Sequence, residues 1–233
     1  MMACMKLRTL AVVIAVAGAA AAGGCSSAPA ASHPPAASGG PAGYWTQSRL
    51  LAATPWREPG YQPGPSASAP PSPPGVRVGA LFEHDASGSH FCTASVVASP
   101  GRDLLITAAH CINGGKGGGY RQDIVFIPGY RDGQAPSGIW TPARLVVAPQ
   151  WVNSSDPDFD VGFVVLKPED GKNIEDVLGA DQLGADPGYR NQVRATGYQE
   201  GGSTAAISYS PYLGEQVEQP YHQAVADEAA QAG

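Results

Sequence analysis

Between residues 76 and 198 the chain repeats one pattern, a short apolar run followed by a turn signal. The runs fall at 78–82, 93–98, 104–108, 124–127, 143–147, 161–166 and 193–196. They are rich in Val, Ile, Thr and Phe, and Gly, Pro, Asn or Asp fills the gaps. Such side chains suit a pleated, half-buried surface, and runs this short cannot form an amphipathic helix of three turns. The pattern predicts an all-β domain, a sandwich or a barrel.

Composition narrows the function classes. The 14 basic residues are outnumbered by 20 acidic ones, for a net charge of −6. No basic excess exists to neutralise phosphates, so a nucleic-acid partner is not expected. The glycine run from Asn113 through Gly119 is no phosphate cradle. It lacks the closing Gly-Lys-Ser/Thr, no helical pattern follows, and a mobile surface loop is the expectation. No cofactor motif occurs elsewhere.

The N-terminus reads as an address. Lys6 and Arg8 precede an apolar run over 10–22, and no Asp or Glu appears before Glu58. A basic start, a short apolar stretch and then small residues mark a secretory signal. The run ends Ala22-Gly23-Gly24-Cys25, which resembles a bacterial lipobox with Cys25 as the lipidated first residue of the mature chain. Ala22 stands where that motif usually has Leu. The alternative is an ordinary signal cleaved among the alanines. Either way the chain is expected outside the cytoplasm, secreted or lipid-anchored at the outer face of the membrane. Its only expected membrane contact is the anchor.

Residues 26–75 carry 12 of the 22 prolines. Pro-rich, Ala- and Ser-rich chain buries too little apolar area to offset its ordering entropy. Tyr44, Trp45, Leu50, Leu51, Trp56 and Tyr61 interrupt it. The preferred reading is a tether with a few sticky residues. The other is a pro-segment that packs on the following domain.

Cys4 leaves with the signal, and a lipidated Cys25 leaves Cys92 and Cys111 as a pair. In an oxidising compartment two strand-borne cysteines this close are a disulfide candidate. A metal site of Cys92, Cys111 and His110 is the competitor, but no CxxC spacing supports it. The run Thr107-Ala108-Ala109-His110-Cys111, preceded by Cys92-Thr93-Ala94-Ser95-Val96-Val97, resembles the histidine motif of the trypsin-like serine proteases, closest to the bacterial glutamyl-endopeptidase branch. The stretch from Ile124 to Tyr130, followed by Pro136-Ser137-Gly138-Ile139-Trp140, is similar to the middle of that branch. Asp160-Val161-Gly162-Phe163 resembles the family's aspartate motif, an Asp leading an apolar strand with a small residue two positions on. It lies 50 residues after His110. Asp156 and Asp158 do not open the strand and read as surface turn acids.

The resemblance implies a double β-barrel, a Cys92–Cys111 bond, His110 as general base and Asp160 as its orienting carboxylate. It also implies a polypeptide substrate. A serine hydroxyl is a poor nucleophile at neutral pH, so an imidazole must take its proton and a carboxylate must hold the ring. The third member should be a serine in a turn similar to Gly-Asp/Thr-Ser-Gly-Gly. Ser203, Ser208 and Ser210, the serines after Asp160, do not match it. The stretch Asp85-Ala86-Ser87-Gly88-Ser89 looks similar but precedes His110, between two strands of the first barrel. After Tyr198, where a second barrel would open, 35 residues follow. Five further strands with their loops would need roughly 50. The expectation is a complete first barrel over residues 76–198, a missing or vestigial second one, and an atypical tail over 199–233 with a weak helix at 224–232. The expected function is that of an exported serine endopeptidase homologue without a recognisable serine. The alternatives are a non-catalytic, surface-tethered binding module and a truncated gene product.

Overall fold

The computed structural model describes residues 31–33, 40–57, 76–184, 190–198 and 205–213. In chain order the elements are β1 (Ala31–His33), α1 (Pro41–Tyr44), α2 (Gln47–Ala52), β2 (Thr54–Pro55), β3 (Val78–Asp85), β4 (Gly88–Val97), β5 (Leu104–Thr107), β6 (Gln122–Pro128), β7 (Pro142–Val147), α3 (Pro149–Ser154), β8 (Gly162–Leu166), α4 (Ile174–Leu178), β9 (Arg190–Tyr198) and β10 (Ala205–Leu213). Each apolar run singled out above falls on one of these strands. Among the described residues no helix is long and apolar enough to cross a membrane.

The main sheet runs β7-β8-β5-β4-β3-β6, with β1 added outside β7 and β2 against β4. The neighbours from β7 to β6 are antiparallel. The two far edges meet where Phe126 of β6 and Trp140, just ahead of β7, exchange backbone hydrogen bonds of 2.9 Å. The sheet therefore curls on itself. Leu81, Val96, Leu105, Ile124, Phe126, Leu145 and Val164 fill its inside. This is the all-β, barrel-type architecture expected from the sequence.

β3 is buried on both faces, and its run Gly79-Ala80-Leu81-Phe82 is apolar without alternation for that reason. Leu81 points into the barrel core, while Ala80 and Phe82 join a second cluster with Trp45, Leu50, Val125, Ile127 and Tyr130. Trp45 and Leu50 come from the Pro-rich region. The tether reading thus fails for residues 40–57, which pack on the barrel. Trp45 is 4% and Leu50 5% exposed, and burying such side chains contributes about 2 kcal/mol each. The Trp45 ring sits 5.2 Å from that of Phe82, and its indole N–H donates to the Asp123 carbonyl. Thr46 caps α2, its hydroxyl accepting from the Arg49 amide at 3.3 Å.

β9 is the strand expected to open a second barrel, and it pairs with β10 as a separate antiparallel hairpin. Its end is fastened to the main sheet: the Tyr198 amide donates to Thr93 Oγ1 at 2.8 Å, and the Tyr198 hydroxyl to the Tyr130 carbonyl at 3.0 Å. β10 lies within the stretch read as an atypical tail. Ile207 and Tyr209 alternate with Ser208 and Ser210, a period-2 signal that the sequence reading passed over. The weak helix at 224–232 lies outside the described residues.

The glycine run after Asn113 is a surface turn with its backbone tied down. Asn113 Oδ1 accepts from Gly115 N at 2.9 Å, Gly114 N donates to Gly119 O at 2.9 Å, and Lys116 N to Ser155 Oγ at 2.8 Å.

Candidate active site

Strand pairing alone brings His110 and Asp160 to one end of the barrel. β5 and β8 are antiparallel, with Thr107 opposite Gly162. His110 comes just after the end of β5, and Asp160 just before the start of β8. The chain leaves β5 through a short 3₁₀ turn, Ala109–Cys111, whose Ala109 and Cys111 are buried. Cys111 is bonded to Cys92 of β4, with Cα atoms 6.1 Å apart. That bridge ties the turn to the neighbouring strand and is typically worth about 2–4 kcal/mol. A Cβ on Gly162 would stand 2.8 Å from Ile112 Cδ1 and 3.2 Å from the Ala109 Cα. The small residue after the aspartate is thus what lets β8 lie close under the histidine turn.

Asp160 holds His110 twice. Its Oδ2 lies 2.6 Å from the ring Nδ1, and its Oδ1 accepts from the His110 amide at 2.8 Å. Burial alone would push the Asp160 carboxyl up. The hydrogen bonds from the His110 ring and backbone, together with the His110 charge, outweigh burial and hold it below the ordinary carboxylate value. A carboxylate on Nδ1 keeps the proton there and leaves Nε2 as the basic nitrogen. Neither group is sealed off, the side chains being 28% and 26% exposed. Of the rival acids, Asp156 accepts from the Asp158 amide at 3.1 Å and caps a surface turn.

Arg121 and Trp56 complete the surroundings, and the sequence assigned neither to the site. The Arg121 guanidinium donates to the His110 carbonyl through Nε at 3.4 Å and Nη2 at 3.3 Å, and it also pairs with Asp85. Trp56 stacks on the His110 ring, with centroids 4.2 Å apart and planes at 24°. Trp56 did stand out as an aromatic residue in Pro-rich chain, but nothing in the sequence tied it to His110. Glu83 of β3 is fully buried, and neither of its carboxylate oxygens has a hydrogen-bond partner among the described residues. Burial raises its pKa to about 8, against the attraction of Arg121 and with the added repulsion of Asp85.

Potential ligand atoms of Cys92, His110 and Cys111 lie within 4.8 Å of one another. The two sulfurs are spent on each other in the disulfide, so they offer no thiolate to a metal. The Asp85–Ser89 stretch is the β3–β4 hairpin turn. There the Ser87 hydroxyl bonds the Asp85 carboxylate and lies 2.9 Å from His90 Nε2. Ser208 and Ser210 lie on β10, opposite Ala195 and Val193. Ser203 and Cys25 fall outside the described residues. Among the described residues no serine hydroxyl is hydrogen-bonded to His110.

No protein-family model and no curated protein matches the sequence. Solved structures do match the fold. The protease Anisep from Arthrobacter nicotinovorans is 22% identical, with a TM-score of 0.59 over 65% of this chain and 70% of that one. A thermostable serine protease from an extremophilic microorganism is 25% identical, with a TM-score of 0.57 over 62% and 69%. A Glu endopeptidase is 14% identical, with a TM-score of 0.54 over 66% and 72%. With its strand order and its resemblance in the histidine and aspartate motifs, the chain has the fold of the bacterial trypsin-like serine proteases.

Proposed function

We propose that His110 and Asp160 form the general-base half of a serine-endopeptidase site acting on polypeptides. The observation that carries this reading is the 2.6 Å contact between His110 Nδ1 and Asp160 Oδ2, made at adjacent strand ends with Nε2 on the other side of the ring. In such a site Nε2 takes the proton of a serine hydroxyl as it attacks the scissile carbonyl. Asp160 stabilises the imidazolium, and the imidazolium then protonates the leaving amine. The proposal extends to the nucleophile. Ser203, Ser208 and Ser210 lack the flanking glycines whose backbone N–H groups would form an oxyanion hole, so the 233 residues carry the base without a presented serine. The basic start and apolar run support export, with Cys25 as the anchored residue.

Two measurements test this. A strongly downfield Nδ1 proton resonance from His110, lost in Asp160→Ala, is expected of the pair, and its absence from the natural chain refutes the pair. A serine-directed fluorophosphonate and an activated ester should give neither label nor burst, because loss of the nucleophile typically removes ~10⁶-fold in turnover. The ester rate should equal that of His110→Ala. A His110-dependent burst would instead reveal a working nucleophile, and Ser203 is the first residue to replace.

A further inference from the structure

The His110 turn is too short to hold its own end. Ala109–Cys111 is a single 3₁₀ turn, and its internal bonds stop at two carbonyls. The Cys111 amide donates to Ala108 O at 3.2 Å, and those of Ile112 and Asn113 both donate to Ala109 O, at 3.0 and 2.8 Å. The Gly114 amide goes to Gly119 O instead, at 2.9 Å. The His110 carbonyl is thus an end-of-turn acceptor, and the amides that would follow it are spent elsewhere. Such a group needs a donor from another part of the chain. Arg121, just ahead of β6, supplies it. Nε and Nη2 both reach the His110 carbonyl, and the Arg121 backbone amide donates to Ile112 O at 2.9 Å. The side chain is only 13% exposed.

A carboxylate aims this guanidinium. Asp85, at the end of β3, uses Oδ1 on the Ser87 amide at 2.7 Å and on the Ser87 hydroxyl, and it turns Oδ2 to Arg121 Nη1. The β3–β4 hairpin turn therefore fixes the carboxylate that fixes the arginine. A planar fork can bond one carbonyl through two nitrogens and a carboxylate through a third, whereas an ammonium offers a point charge. We infer that Arg121 is a positioning residue for His110, clamping the carbonyl of the residue whose ring and amide Asp160 holds, and that Asp85 aims the clamp. The inference deepens the reading of His110 as a general base and rests on it for what the positioning serves. The clamp itself is measurable without any turnover.

The experiment is amide hydrogen exchange by NMR in the full chain, comparing the natural protein with Arg121→Gln, Arg121→Lys and Asp85→Asn. The asparagine keeps an oxygen for the Ser87 amide and removes the charge that faces Arg121. The amides of His110 and Ile112 report on the turn, and those of the β5–β8 ladder are the reference for global opening. Arg121→Gln is expected to cost the turn amides about tenfold in protection relative to the ladder, the size of one charge-assisted hydrogen bond. Arg121→Lys and Asp85→Asn should fall between that variant and the natural protein. The His110 Nδ1 proton resonance should broaden in the same order. Turn amides as protected in Arg121→Gln as in the natural chain would overturn the inference. So would a loss shared equally by the ladder, which marks a merely structural arginine. If Arg121→Gln does not fold, Asp85→Asn decides by the same two criteria. A natural chain without the downfield Nδ1 proton refutes the general-base pair yet leaves the exchange rates readable, so the two failures are told apart.

Discussion

Two carboxylates bear on the His110 turn: Asp160 bonds His110 directly, and Glu83 is attracted by Arg121, which bonds the His110 carbonyl. Glu83 is fully buried and Asp160 keeps 26% of its side chain exposed, and burial pushes both toward the neutral form. Asp160 stays below its ordinary value because it receives the His110 ring and backbone amide. Glu83 receives no hydrogen bond among the described residues, and its pKa rises to about 8. The cation that attracts it is already committed: Arg121 bonds Asp85 and the His110 carbonyl. The difference teaches that donors, together with depth, decide which acid keeps its charge. Asp160 is built to be an anion beside an imidazole, whereas Glu83 is built to be a neutral carboxyl below about pH 8.

The largest effect should come from Glu83. The folded state holds its proton more tightly than the unfolded chain does. Its contribution to stability is therefore complete below the ordinary carboxylate value of 4.5 and is lost as pH rises through about 8. Glu83→Gln keeps the shape and removes the charge. It should raise stability above pH 8 by on the order of 4 kcal/mol and flatten the decline of melting temperature between pH 5 and about 8. Parallel melting curves for the two proteins from pH 5 to 9 would show that Glu83 finds a partner when ionised, and the contrast with Asp160 would break.

A smaller effect should sharpen the Asp160 side. Gly162→Val drives a side chain into Ile112 and the Ala109 backbone, lifting β8 from the histidine turn. Overpacking of this kind costs about 2 kcal/mol, read as a lowered urea midpoint. The downfield His110 proton should weaken with it. An unchanged midpoint would mean that the close approach of the two strands does not matter.

The smallest expected effect is that of Asp160→Asn. The folded pKa of Asp160 is depressed, so its contribution is present above the ordinary carboxylate range and is lost as pH falls through the folded value. The variant should be about 1 kcal/mol less stable at pH 7. The natural protein should lose that advantage on acidification, so that the two curves converge at low pH. Curves that stay equally far apart down to the acid limit would sever the link between the carboxylate charge and the fold.

Much of this corner was legible before any coordinates. Short β-branched runs place the strands, and β5 and β8 are among them. The small residue two positions after Asp160 belongs to the aspartate motif, and the structure shows Ile112 and Ala109 packed against that Gly162. Cys92 and Cys111 stood out as a pair, with a metal site as the rival. The hairpin partner β10 was missed although its alternation was there to read. The unbroken apolar run of β3 carried a signal of its own, since a strand with no polar face needs a cover on both sides. That cover turned out to be Trp45 and Leu50, from a stretch whose proline content spoke for a tether.

The sequence by itself determined the elements and the order of chemistry along them. A strand delivers His110, a second opens behind Asp160, and 50 residues separate the two. Local pattern suffices there, because side-chain alternation and turn residues act over a few positions. Only the tertiary structure decided that Trp56 lies on His110, that Arg121 holds the His110 carbonyl, and that Glu83 is left without a donor. Each depends on groups brought together from distant parts of the chain, where no periodicity reaches. The ionisation of a carboxylate is set by the donors within a few ångströms, and those are chosen by folding, not by sequence neighbours.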